Sequence, residues 1–208
     1  MWYSILIAVL ASYLLGNLNG AVCMSALLAH DDVRNHGSGN AGLTNFVRNY
    51  GAVKGLAVFA VDAFKTVIAC LLGGLLLKSY DCQLLGMTIG GLSVMVGHAF
   101  PALLGFKGGK GILSGLFVAV VVDWRIALII LAIFALIYAT TKYVSLASIL
   151  ASAVFAGCFV IFHHDNLAVM IGGILMGSLT IFMHRSNIVR LVKGQERKTN
   201  LFGKGKQK

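Results

Sequence analysis

Long apolar runs separated by short polar stretches set the pattern of this chain. Runs of roughly the length a helix needs to cross a bilayer, with few charges, recur at about 3–28, 55–77, 83–102, 111–122, 126–140, 143–162 and 167–183. The pattern predicts an all-α integral membrane protein in which residues 1–208 form a single polytopic membrane domain, with 199–208 a basic cytoplasmic tail. Two runs are short. A helix over 112–122 would rise only about 17 Å, against a hydrocarbon core of roughly 30 Å. With the 126–140 run it could instead make one broken span interrupted by DWR at 123–125. The first run has no Lys or Arg before Arg34 and is too long for a signal-peptide core, so it reads as a retained span.

Composition agrees with a membrane protein. The chain is 58% hydrophobic and only 12% charged, with a mean hydropathy of +0.87, whereas soluble domains carry about 25% charged residues. The four cysteines, Cys23, Cys70, Cys82 and Cys158, show no metal-ligand spacing and read as small buried hydrophobes.

Charge decides between the span counts. With seven spans and the N-terminus outside, 14 basic residues fall in inside segments and 2, Lys78 and Arg125, outside. That is the positive-inside bias expected of a correct topology. Six spans would put the first Gly-rich loop and the basic tail on opposite faces. The expectation is therefore seven transmembrane helices, N-terminus outside, C-terminus cytoplasmic, with the motif loops on the cytoplasmic face.

The stretch GSGNAG at 37–42 matches G-x-G-x-x-G, and Asp62 follows where a ribose-binding acid would stand. No strand precedes it, however, and Asp62 falls inside the second span, so a dinucleotide fold is excluded. Three cytoplasmic stretches then hold the unusual polar residues. In DVRNHGSGNAGLTNFVRNYG, glycines allow backbone amides to converge on an anion; Ser38, Asn40, Thr44 and Asn45 add neutral donors, and Arg48 adds a planar fork. The alternative is a polar loop with an ordinary inside arginine. In GHAFPALLGFKGGKG, the P-loop register fails: Leu104 stands where the first glycine belongs and Gly111 where Ser or Thr is needed. A Gly-rich backbone at a helix start beside Lys107 and Lys110 still suits phosphate. Against that stand lysines that merely snorkel, and a His98 that merely sits at the interface. In HRSNIVRLVKGQERK, His184 and Asn187 share a helix face. Arg185, Arg190, Lys193, Arg197 and Lys198 can serve anionic headgroups, and Glu196 is read as pairing with a basic neighbour. Asp62 and Lys65, three apart on one face of the second span, read as a structural ion pair.

Taken together these stretches resemble the bacterial acyl-phosphate:glycerol-3-phosphate acyltransferases, the PlsY family. GSGNAGLTNFVR is similar to the family's first motif, with Leu43 for the usual Ala; GHAFP and FKGGKG resemble the second, and HRSNIVRL with ERK the third. TKYVSLASI and the Asp62/Lys65 pair extend the likeness. GNLNG departs from the family's usual proline-containing pattern and leaves the bend of the first span open.

The resemblance implies transfer of a fatty acyl group from acyl phosphate to the 1-hydroxyl of sn-glycerol 3-phosphate, in the bacterial inner membrane, giving lysophosphatidic acid and phosphate. It implies that Arg48, Lys107 and Asn187 hold glycerol 3-phosphate while Ser38 and His184 orient the reacting groups. Gly37, Gly39, Asn40, Thr44, Asn45, His98, Gly108, Gly109, Lys110 and Gly111 are expected to bind substrate, backbone amides of the GSGN loop and of 108–111 cradling the acyl phosphate. Glu196, Asp62 and Lys65 are expected to support the site. No metal, cofactor or nucleic acid is expected. Membrane lipids and the soluble enzyme that makes acyl phosphate are the candidate partners. The alternative from another class is a transporter for a phosphorylated or anionic solute, which would need mid-membrane ionisable residues and an internal repeat.

Overall fold

A computed structural model describes residues 1–199. Among these the regular structure is helical: α1 Trp2–Asn17, α2 Gly20–Ala29, α3 Leu43–Tyr50, α4 Ala52–Leu77, α5 Gln83–Ala99, α6 Ile112–Val122, α7 Trp124–Thr141, α8 Val144–Phe162, α9 Leu167–Met183 and α10 Arg185–Val192. Helices occupy every apolar run read from the sequence, the first run as two pieces. Five described segments are long and apolar enough to cross a membrane: Trp2–Ala29, Ala52–Tyr80, Gln83–Leu104, Trp124–Thr141 and Val144–Phe162. A sixth arises if α9 and α10, which meet at a 56° bend, are taken together. At 11 residues, α6 is shorter than these.

The break between α1 and α2 falls at Leu18–Asn19, without a proline. Asn19 accepts a hydrogen bond from the Val22 amide (3.1 Å) and so caps α2. A broken helix at membrane depth must have its freed backbone groups satisfied by protein. Two charged side chains of α4 do this. Lys65 Nζ donates to the carbonyl of Leu18 (2.8 Å), and Asp62 Oδ1 accepts from the amide of Gly20 (3.1 Å). The two side chains pair with each other at 2.7 Å and are both buried. The pair therefore replaces, in an apolar interior, the hydrogen bonds that continuous helix would have made.

Helix α5 is the central post, packed on α1, α4, α6 and α9. Small residues permit the closest approaches. A Cβ on Gly97 would collide with the Tyr13 carbonyl oxygen of α1, and one on Gly86 with the Gly73 carbonyl of α4. On the other side of α5, Met95, Val118, Ile126, Phe155, Phe159, Val169 and Met176 form a core shared by α5–α9. The α5–α6 connection is tied back to α1: Tyr13 donates to the Phe100 carbonyl (2.9 Å), and Asn17 Oδ1 accepts from the Leu103 amide (3.0 Å).

This packing sets an expected outcome. Gly97→Val forces α1 and α5 apart, an overpacking that costs about 1–3 kcal/mol. Thermal unfolding in detergent should shift down by several degrees. An unchanged midpoint would show that the two helices do not approach as described.

Candidate functional site

The 36–42 loop folds around one side chain. Buried Asn45 donates from Nδ2 to the carbonyls of Val33, His36 and Asn40 (3.0–3.1 Å) and accepts at Oδ1 from the Ser38 amide (3.0 Å). Gly37 takes φ +60°, and a Cβ there would strike Asn45 Oδ1, so this turn requires glycine. The loop thereby aims Ser38, Asn40 and Thr44 into a cavity of about 720 Å³.

That cavity has two ends. The polar end holds Ser38, Arg48, Lys110, His184, Asn187, Arg190, Glu196 and Arg197, and the apolar end holds Leu56, Phe59, Leu113, Leu116, Leu131 and Phe134. Four side chains that carry positive charge face one carboxylate. Glu196 anchors Arg190 among them: it accepts from Asn187 Nδ2 (2.8 Å), Arg190 Nε (2.8 Å) and Ser145 Oγ (3.0 Å). Burial opposes its ionisation, yet these three donors hold the Glu196 carboxyl below the usual range. Lys110 Nζ in turn donates to Asn187 Oδ1 (2.5 Å). Burial pushes Lys110 down to about 8; Glu196 opposes the shift, and Arg190 and Arg48 add to it. Burial also lowers Arg48, whose guanidinium nevertheless stays charged. Buried His184 lies with Nδ1 2.8 Å from the Thr180 carbonyl. A carbonyl can only accept, so Nδ1 carries the proton and Nε2 is left as an acceptor.

Of the residues singled out in the sequence, Gly37, Ser38, Asn40, Thr44, Asn45, Arg48, Asp62, His98, Lys110, Gly111, His184, Asn187 and Glu196 all line this cavity. Lys107 does not. It lines a separate concavity of about 450 Å³ with Asp32, Arg34, Asn35, Gly39 and Gly105, so the lysine within reach of Asn187 is Lys110. The expected cradle of backbone amides is also thinner than the glycines suggest. The Ser38 amide is committed to Asn45, the Gly39 amide to the His36 carbonyl (2.9 Å), and the Gly109 amide to the His98 carbonyl (3.0 Å). Gly108 packs against Pro101 and the His98 and Ala99 carbonyls, Gly109 against the His98 ring and the Ala41 carbonyl, and neither lines the cavity. Asn45 shapes the loop and has no donor left over.

In sequence Arg190 and Arg197 belong with the residues suited to anionic headgroups, yet both line the cavity. The one carboxylate of the tail, Glu196, was the signal that could have found them, since it pairs with Arg190 at 2.8 Å. The 194–199 segment folds back over the bundle: the Thr199 amide donates to the Lys142 carbonyl (3.0 Å), and Arg48 donates to Thr199 Oγ1. Among the described residues, no three His, Cys, Asp or Glu side chains gather as a metal site would require.

A two-ended, cation-rich cavity of this kind suits a phosphorylated amphiphile. The family of glycerol-3-phosphate acyltransferases matches residues 6–194. This chain belongs to that family. The glycerol-3-phosphate acyltransferase of Finegoldia magna is 41% identical over 188 residues, covering 89% of this chain and 91% of that protein. That of Thermoanaerobacter sp. is 41% identical over 196 residues, covering 94% and 96%. Among solved structures, the glycerol 3-phosphate form of PlsY, an integral membrane glycerol 3-phosphate acyltransferase, superposes with a TM-score of 0.84 at 35% identity, covering 96% of this chain and all of that one. The same enzyme's lysophosphatidic acid form gives 0.82 at 34% identity, covering 95% and 96%. With its apolar helices and these relatives, the chain is a multi-pass membrane protein.

The Lys110 environment yields a pH dependence. An ammonium attracts phosphate where a neutral amine does not, and the Lys110 ammonium is lost as pH rises through about 8. KM for glycerol 3-phosphate should therefore climb across about pH 7 to 9. In Lys110→Arg, whose charge persists throughout that window, KM relative to its own neutral value should stay flat. Matching profiles for the two proteins would show that Lys110 does not hold the phosphate.

Proposed function

We propose that this glycerol-3-phosphate acyltransferase moves a fatty acyl group from acyl phosphate to the 1-hydroxyl of sn-glycerol 3-phosphate, releasing lysophosphatidic acid and inorganic phosphate. The observation that carries the reading is the single cavity whose cationic end runs into an apolar end. Two phosphate-bearing reactants meet at the first, and a hydrocarbon tail lies in the second.

The residues divide the work accordingly. Arg48, Lys110, Arg190 and Arg197 neutralise phosphate, with Arg48 and Arg190 offering planar forks suited to its oxygens. Asn187 and Glu196 keep Lys110 and Arg190 apart and oriented. Ser38 Oγ and His184 Nε2 orient the attacking hydroxyl. Its oxygen bonds to the acyl carbon, the bond from that carbon to the phosphate oxygen breaks, and the departing phosphate takes the hydroxyl proton. An acyl phosphate is already activated, so positioning and charge stabilisation are the demands left to the protein.

The same reading places seven crossings in the bacterial cytoplasmic membrane, N-terminus outside, with the three motif loops facing the cytoplasm where glycerol 3-phosphate is found. Helix α6 then crosses a thinned part of the bilayer. The inside excess of basic residues supports this orientation. Lys204, Lys206 and Lys208 lie outside the described residues; their charges suit anionic lipid. The soluble enzyme that makes acyl phosphate is the natural partner on that face. A transporter would need its mid-membrane charges free to bind solute, whereas Asp62 and Lys65 are committed to the backbone of the first span.

Purified protein in micelles, given acyl phosphate and glycerol 3-phosphate, should form lysophosphatidic acid and phosphate in equal amounts. Acyl-CoA and acyl carrier protein should be poor donors. Robust turnover of either thioester with none of acyl phosphate would overturn the donor assignment.

A further inference from the structure

We infer that His98 is a catalytic hydrogen-bond donor, and that the buried Asp62–Lys65 pair sets which of its ring nitrogens carries the proton. Resting on the acyl-transfer reading above, the inference places His98 Nε2–H on the carbonyl oxygen of the acyl phosphate.

The proton's position follows from geometry. Lys65 Nζ lies 2.7 Å from Asp62 Oδ1 and 2.9 Å from His98 Nδ1. Beside a carboxylate this amine is an ammonium, which has three protons and no lone pair. Its protons go to the three nearest acceptors, Asp62, the Leu18 carbonyl (2.8 Å) and His98 Nδ1, with the Gly16 carbonyl farther off at 3.5 Å. Nδ1 must then present a lone pair, and the neutral ring carries its proton on Nε2. Asp62 cannot claim Nδ1 instead, because Oδ1 is 3.7 Å away.

That Nε2–H is unspent. His98 is 4% exposed and lines the cavity, yet among the described residues Nε2 has no hydrogen-bond partner. That donor is open to a ligand in the cavity, and it is fixed in place. Gly109 lies directly against the ring, where a Cβ would strike Nε2, and the Gly109 amide is bonded to the His98 carbonyl. The ring is thus registered to the loop that carries Lys110 one residue on.

Its position matches one atom of the substrate. Met95, three residues earlier on the same face of α5, lies with the apolar core, while Lys110 belongs to the cationic end. With Met95 on one side and the loop of Lys110 on the other, the inference sets His98 between the two ends, where the acyl carbonyl, the link between chain and phosphate, has to lie. Asp62 also reaches the cavity wall, with its charge balanced by Lys65. In the reaction the hydroxyl oxygen bonds to the carbonyl carbon and the carbonyl electron pair moves onto oxygen, where Nε2–H receives it. The pair then returns, the bond to phosphate breaks, and phosphate leaves with the hydroxyl proton. His98 keeps its own proton throughout.

Two measurements test this. Removing one oxyanion donor costs about a hundredfold or more in kcat, so His98→Leu should lose about that much with KM for glycerol 3-phosphate little changed. His98→Gln, which retains an N–H at similar reach, should recover at least about tenfold of it. A kcat for His98→Leu within about threefold of wild type, or equal losses in both variants, overturns the catalytic role. In the wild-type protein labelled with ¹⁵N-histidine, one ring, absent from His98→Gln, should show the Nε2–H tautomer, and Lys65→Met should shift that ring toward Nδ1–H. A wild-type His98 protonated on Nδ1 overturns the inference whatever the activities of the variants. Wild-type protein that makes no lysophosphatidic acid would sink the acyl-transfer reading, and the oxyanion role with it, while the tautomer result would stand.

Discussion

An ion pair buried in apolar surroundings holds this site together. Taking Asp62 and Lys65 out of water costs several kcal/mol per ion, repaid only if geometry and further hydrogen bonds are good. Here each charge has a second task. The carboxylate accepts from the first free amide of α2, and the ammonium donates to the last free carbonyl of the α1 break. The pair therefore holds the first span open at the depth where the loops converge. Asn19, at that break, also donates to the Ala41 carbonyl in the GSGNAG loop (3.0 Å). Through His98 the pair touches the FKGGKG loop as well. Two motif loops far apart in sequence are thus fixed to one buried point.

The third loop joins through charge rather than packing. Among the described residues lining the cavity, Glu196 is the carboxylate set against Arg48, Lys110, Arg190 and Arg197, since Asp62 is paired with Lys65, so the site carries a surplus of positive charge that suits a phosphate. Lys110 registers that surplus: burial lowers it to about 8, and the Arg190 and Arg48 guanidiniums add to the shift. Arginines tolerate the same crowding without deprotonating. This division explains why the two residue types occur together: arginines supply constant charge, and the lysine supplies a compact donor that Asn187 can aim.

The helical layout was legible because membrane spans are written in long apolar runs, and the motif loops were legible because glycine and paired lysines in such a chain have few other uses. The break at Leu18–Asn19 was not, since no proline marks it; the signals were an asparagine cap and an acid–base pair on a neighbouring helix. Lys107 and Lys110 could not be told apart in sequence. Which one enters the cavity depends on the bond from the Gly109 amide to the His98 carbonyl, which orients the loop. Which amides stay free was not legible either: Asn45 takes that of Ser38, and the His36 and His98 carbonyls take those of Gly39 and Gly109. Arg190 and Arg197 looked like headgroup anchors because the fold-back of 194–199 is a tertiary event with no local signature.

The central claim is that the buried pair positions the loops that bind phosphate. It is tested most directly by titrating sn-glycerol 3-phosphate calorimetrically into a variant that removes both charges together, Asp62→Leu with Lys65→Met. Replacing both partners by apolar residues spares the protein an orphaned charge, so circular dichroism should still report a helical bundle. Affinity for glycerol 3-phosphate should nonetheless fall by at least about tenfold, roughly 1.4 kcal/mol, because the first span and both loops lose their common anchor. A double variant that binds glycerol 3-phosphate as tightly as the wild type would contradict the account.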